Sequence, residues 1–218
     1  WEMFDAHSYP KGGSVLHMLR HQLGEEMFRG ILHLFLVKHA SGLVSTADFM
    51  RVVEEVTGRP MDRFFEQWIF RPGHPKLKVE HQWLPERRQV KLVLTQTQEM
   101  KEGEAAFAFP LDIEIQTDGK PIRETVEITK KEETAFIDCP APPLSVVIDP
   151  TLHVLMELEH EKPEDMLLRD LKNGSTVIVK IRAARALKDH RSDPVAEALT
   201  QAVRSESFLR LRTTCLES

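Results

Sequence analysis

The sequence is short of several things, and each shortage excludes something. It has two cysteines in 218 residues, Cys139 and Cys215. They fall in segments read below as different domains, so neither a disulfide framework nor a thiolate metal cluster is expected. Two free thiols fit a reducing compartment such as the cytoplasm. No run approaches the roughly 20 apolar residues of a membrane span; the longest, Ile31 to Val37, is far shorter and contains His33. There is no cationic excess either. The formal net charge is −5 and the pI about 6.1, which speaks against nucleic acid or an anionic membrane as the default partner. The chain lacks a Gly-x-Ser-x-Gly elbow, a phosphate-binding Gly-x-x-x-x-Gly-Lys-Ser/Thr loop and a dinucleotide fingerprint. Tyrosine occurs once, as Tyr9. The opening WEMFDAHS has no initiator methionine and no recognisable element, so the sequence reads as an excerpt of a larger protein.

What is present is ordinary globular composition, 41% apolar and 29% charged, in a chain long enough to bury a core. The pattern has three parts. In the first, Val15, Leu16, Met18, Leu19 and Leu23 recur at helical spacing until Gly24. Phe28, Ile31, Leu32, Phe35 and Leu36 make a second run. Thr46 fits an N-cap, Phe49, Val52, Val53 and Val56 form a stripe, and Gly58 is a natural stop. A short fourth helix is expected over 61–68, closed by Pro72-Gly73-His74-Pro75. The period then becomes two: Leu77, Val79, His81 and Trp83 alternate, as do Val90, Leu92 and Leu94, and Leu111, Ile113 and Ile115. Thr117-Asp118-Gly119-Lys120 is a hairpin signal. Val126, Ile128, Phe136, Ile137 and Val146 to Ile148 complete what reads as an antiparallel sandwich. Residues 159–165 form a polar hinge. Beyond it, short helices joined by brief turns, one opened by Asp193-Pro194, resemble a helical-repeat array. The expected class is α+β multidomain: a helical part over 1–75, a β-sandwich over 76–158 and a HEAT-like helical segment over 159–218.

Ten histidines invite a search for metal ligands. His17 and His21 stand four apart on a predicted helix, with Glu25 four further on. The His-Glu-x-x-His motif needs glutamate right after the first histidine as general base; here Met18 stands there, and Gly24 interrupts the helix before Glu25. His33 and His39 share no face, and His160-Glu161 meets no second histidine nearby. The expectation is that the chain carries no complete zinc site. Trp68 and the Phe64-Phe65 pair are expected as core anchors.

The residues do carry a resemblance. Tyr9-x-Lys11-Gly12-Gly13-x-Val15-Leu16-x-Met18-Leu19, followed by Leu23-Gly24, Phe28, Gly30, Thr46-x-Asp48-Phe49, Gly58 and Phe65-x-Gln67-Trp68, resembles zinc aminopeptidases of the membrane alanyl aminopeptidase family. It matches the second half of their thermolysin-like catalytic domain, and Gly73-x-Pro75-x-Leu77-x-Val79 fits the passage into a β-sandwich. The resemblance implies the mechanism of that family. A His-Glu-x-x-His helix and a later glutamate bind one zinc, which lowers the pKa of a water. That water attacks the peptide carbonyl beside the substrate's free N-terminus. A tyrosine in the Tyr-x-Lys-Gly position donates to the developing oxyanion. Tyr9 matches that tyrosine and is expected on a loop feeding a helix; Lys11, Gly12 and Gly13 shape that loop. The family's zinc motif and substrate-binding Gly-x-Met-x-Asn loop are upstream of the tyrosine and absent here. Two readings therefore stand: a piece of a zinc-dependent aminopeptidase acting on peptides, inactive alone, or an aminopeptidase-like scaffold that binds other proteins. An exposed apolar face on the helical part would favour self-association.

Overall fold

The computed structural model describes residues 7–101 and 103–218; the opening WEMFDA segment lies outside the described residues. The chain divides into two compact units. One comprises residues 1–75 with 153–156, the other 76–152 with 157–218. Among the described residues no helix is long and apolar enough to cross a membrane.

The first unit is helical. A π-helical turn over His7–Lys11 leads directly into α1 (Gly12–Leu23). Gly24, at φ 82°, ends α1 and opens α2 (Glu25–Lys38). The break needs a residue that tolerates positive φ. A capping box starts α3 (Thr46–Thr57): Ser45 Oγ accepts from the Asp48 N–H, and Asp48 Oδ2 accepts from the Ser45 N–H at 2.8 Å. The cap is therefore Ser45, one residue before the expected Thr46. Serine and threonine adjoin there, and the one three residues before the acidic side chain completes the reciprocal pair. Gly58 closes α3 in the left-handed region. The fourth helix is only a turn, α4 (Asp62–Phe65), continued by a π turn over Glu66–Phe70. Leu19, Phe28, Ile31, Val52, Val53, Met61 and Phe65 form the core, with Phe35 edge-on to Phe49 at 5.2 Å. Phe65 and Trp68 are buried, as expected of anchors, while Phe64 is only partly buried beside them.

Among the described residues, the second unit opens with seven strands in two sheets. One has the order β5 (Glu132–Asp138), β2 (Gln89–Gln96), β1 (Lys76–Leu84), β7 (Glu157–Glu159); the other is β4 (Ile122–Ile128), β3 (Phe109–Gln116), β6 (Ser145–Ile148). Antiparallel pairing is the rule, but β7 joins β1 in parallel, Leu77 opposite Leu158. The hairpin at Thr117 joins β3 to β4, its Thr117 Oγ1 accepting from the Gly119 N–H at 3.1 Å. Gln96 anchors the longest connection: its Nε2 donates to the Phe107 carbonyl at 2.8 Å, and its Oε1 accepts from the Phe107 N–H at 3.0 Å. Helices α5 (Glu164–Asn173), α6 (Val177–Leu187), α7 (Asp193–Ser205) and α8 (Leu209–Glu217) follow. Leu167, Leu171, Ile181, Ala184, Leu187, Val195, Leu199 and Leu211 pack among them. Ser192 caps α7, with Pro194 in its first turn. The Arg182 guanidinium of α6 reaches the turn after β6, donating to the Ile148 and Asp149 carbonyls at 2.7 and 3.0 Å. Asp149 holds a positive φ of 46° there. Cys139 and Cys215 are both buried and unpaired.

Candidate functional site

Tyr9 is 67% exposed. It sits not on a loop, as the sequence suggests, but in the π turn ahead of α1. Pro10 is the reason the turn reads as a loop and the reason it can be helical. Its ring fixes a helical φ, and its missing N–H falls near a helix start, where donors lack intrahelical partners anyway. Ser14 Oγ donates to the Pro10 carbonyl at 2.9 Å and ties the turn to α1. Behind it Val15, Met18 and Leu19 are buried. The phenol is thus carried on a wide turn whose following helix is fixed in the core. Single π turns of this kind are frequent at functional sites.

The other face of α1 carries His17 and His21. Within this unit both meet His153: the His17 ring lies 5.2 Å from it, tilted, and the His21 ring stacks on it at 3.4 Å with 20° between planes. This arrangement does not reproduce the zinc motif that the resemblance implies. Met18, in the place of the required glutamate, is buried and takes the Leu155 N–H on its sulfur at 3.5 Å. Glu25 belongs to the next helix, beyond the Gly24 break. Its carboxylate is paired with Arg20 and with Arg29, the latter at 2.7 Å, and Arg20 foremost holds its pKa below the usual carboxylate value. The glutamate that the motif needs as general base is missing, and Glu25 is engaged by arginines. The family's zinc set does not fit these residues.

A polar cluster that the sequence did not announce lies in the second unit. His81 Nδ1 and His160 Nε2 are 2.9 Å apart, edge to face. Next to them Lys162 pairs with Asp170 at 2.6 Å, with side chains 10% and 2% exposed, and Lys162 Nζ also donates to Ser145 Oγ at 3.3 Å. Within the polar hinge, His160 and Lys162 are therefore partly buried and bonded to partners. Burial, then the Lys162 ammonium, His81 and Arg182, lower the His160 pKa to about 3. Burial and Lys162 lower that of His81 too. A histidine so hard to protonate is a poor general base at neutral pH, so the pair reads as a fastening between β1 and the chain entering α5. One signal was available. His81 shares the parity of Leu77 and Val79, which face inward, and an inward-facing imidazole needs a partner.

Residues 1–68, the stretch that carries Tyr9 and helices α1 to α4, match the model of the peptidase family M1 domain. The similarity to M1 peptidases thus covers under a third of this chain, its first helical part. Tricorn protease-interacting factor F2 of Thermoplasma volcanium is 38% identical over 78 residues, 36% of this chain and 10% of that protein. Transcription initiation factor TFIID subunit 2 of Drosophila melanogaster is 22% identical over an alignment of 250 residues, covering 95% of this chain and 20% of that one. Among solved structures, aminopeptidase A of Legionella pneumophila in complex with aspartic acid superposes with a TM-score of 0.78 and 16% identity, over 95% of this chain and 26% of that chain. That likeness establishes the shared α+β fold. The chain spans a minor part of each of these relatives, between 10% and 26% of their lengths.

Proposed function

We propose that this chain is a segment of a zinc-dependent aminopeptidase that removes N-terminal residues from peptides, and that Tyr9 is its contribution to catalysis. The observation that carries this reading is the M1 match over residues 1–68, with Tyr9 standing in the Tyr-x-Lys-Gly frame ahead of α1. In this reading the Tyr9 phenol donates its O–H to the oxyanion that develops as the peptide carbonyl is attacked, and the buried side of α1 holds the turn in place. A fixed donor of this kind contributes about 10²–10³ in rate. The peptidase's zinc is held by residues outside this chain, which alone hydrolyses nothing. Residues 1–75, 76–158 and 159–218 serve as the end of the catalytic domain, a sandwich and a HEAT-like segment. The exposed Leu36, Val37 and Leu43 of the first unit are where an isolated chain would self-associate.

The test is made on the whole protein. Zinc content and aminoacyl-nitroanilide hydrolysis are measured for wild type and Tyr9→Phe. The expected result is about one zinc per chain in both, with kcat lower by about 10²–10³ in the variant. An unchanged rate in Tyr9→Phe, or a protein that binds no zinc, overturns the assignment. A second reading is a scaffold of aminopeptidase-like fold that no longer cleaves. It is favoured by the alignment with TFIID subunit 2, which covers 95% of this chain where the factor F2 match covers 36%. Capture of a protein partner that depends on residues 159–218 and ignores chelator would support it.

A further inference from the structure

Strand β1 is nine residues long and its neighbour β7 is three. The mismatch leaves most of one edge of the sheet open. The Thr97 N–H donates to the Lys76 carbonyl at 2.8 Å, so Lys76 turns its backbone groups toward β2, and Lys78, Glu80 and Gln82 follow by alternation. Leu77, Val79, His81 and Trp83 turn theirs the other way, to the edge where β7 lies. β7 is in register only with Lys76, Leu77 and Lys78. Among the described residues no other backbone group bonds those of His81 and Trp83 on that side. A row of such groups is a template for a further strand.

The open edge borders a cleft of about 510 Å³, lined by residues 78–81 on one side and by Glu159, Glu161 and Pro163 on the other. A pocket on a sheet face touches alternate residues; four in a row mark an edge. Three carboxylates in this lining face one ammonium, that of Lys78. Lys78 pairs with Glu80 at 3.2 Å, while Glu159 and Glu161, both exposed, have no ion pair. Glu80 foremost, then Glu159 and Glu161, hold the Lys78 pKa above its ordinary value. His81 adds no positive charge at neutral pH, because burial and then Lys162 lower its pKa. The cleft therefore favours cations.

We propose that this cleft is a docking site for a basic extended segment of another protein, which adds a short strand to the open length of β1 and sets its lysines or arginines among Glu80, Glu159 and Glu161. Strand addition draws affinity from main-chain hydrogen bonds and specificity from alternate side chains. The acidic rim supplies the selection. It repels nucleic acid and anionic lipid, and it meets the same row of carboxylates if a second copy of this chain approaches with its own edge. The site lies wholly in the second unit and stands whether or not Tyr9 is catalytic.

The experiment titrates the chain with a labelled, end-blocked hexapeptide of alternating lysine and valine, followed by fluorescence anisotropy. Saturable binding is expected, weakening as salt is raised, with no binding of the peptide that carries glutamate in place of lysine. Two further peptides are N-methylated, one at the lysines and the other at the valines. Alternate residues of a strand point their N–H groups to opposite edges, so one of these peptides should lose binding and the other keep it. Glu159→Gln combined with Glu161→Gln should weaken the lysine peptide about tenfold and leave the urea midpoint unchanged, since both side chains are exposed. Absence of saturable binding by the lysine peptide overturns the proposal. Equal binding of both methylated peptides overturns strand addition, and an unchanged affinity in the double variant overturns the site. If the double variant is unstable, the four peptides on the wild type decide alone.

Discussion

Acid should loosen the second unit, and His160 sets how much. In the folded chain its pKa is about 3, lowered by burial first and by Lys162 next; unfolded, it returns to about 6.5. Above that value both states hold it neutral and nothing is lost. Below it the unfolded chain takes up a proton that the folded chain refuses, so stability falls as pH falls, until the folded value is reached and the loss levels off. Between about pH 8 and about pH 5 this one group should cost about 2 kcal/mol. That figure hardly depends on the folded pKa so long as it stays well below the lower pH. The assay is urea unfolding at both pH values for wild type and His160→Gln, whose carboxamide can still bond His81. Other titrating groups cancel in the difference. The wild type should lose about 2 kcal/mol more than the variant over that interval. Equal losses would refute the claim that His160 is held neutral by its surroundings.

Three other outcomes follow from the structure. Lys162→Met leaves the Asp170 carboxylate buried without its cation and should cost about 3–5 kcal/mol; the double variant Lys162→Met with Asp170→Leu should recover most of that in urea melts. Gly174→Ala should destabilise by about 1–3 kcal/mol, because an added Cβ would stand 2.5 Å from the Asp170 carbonyl oxygen; an unchanged midpoint would show that the α5–α6 turn can shift. Ser45→Ala removes one half of the α3 capping box and should cost about 1 kcal/mol, with Ser45→Gly milder, read from thermal unfolding of the first unit.

Much of the architecture was legible because it rests on periodicity and punctuation. The Gly24 and Gly58 breaks, the alternation in β1 to β3 and the hairpin at Thr117 are local signals, and the elements fall where those signals put them. The parallel partner of β1 was not legible: β7 is three residues long, too short to show a period. The turn at Tyr9 was misjudged because proline signals a break in most contexts, whereas ahead of α1 it costs no hydrogen bond. The stretch 159–165 reads as a polar hinge because it is dense in charge. The burial of His160 and Lys162 within it depends on His81, Ser145 and Asp170, and sequence distance hides such pairings.

The four residues 153–156 have a consequence for how the chain is made. They complete the first unit, yet 77 residues of the second separate them from Pro75. His153 cannot stack on His21, nor Leu155 donate to Met18, until synthesis has passed them. Closing the 77-residue loop costs entropy that grows only slowly with length, so the last contacts of the first unit form only after the intervening strands have been made. Genetic dissection should respect that order. A cut at Pro75 yields a first unit lacking its last piece, whereas supplying a peptide of residues 153–156 in trans, or grafting it by a short linker, should restore the missing contacts.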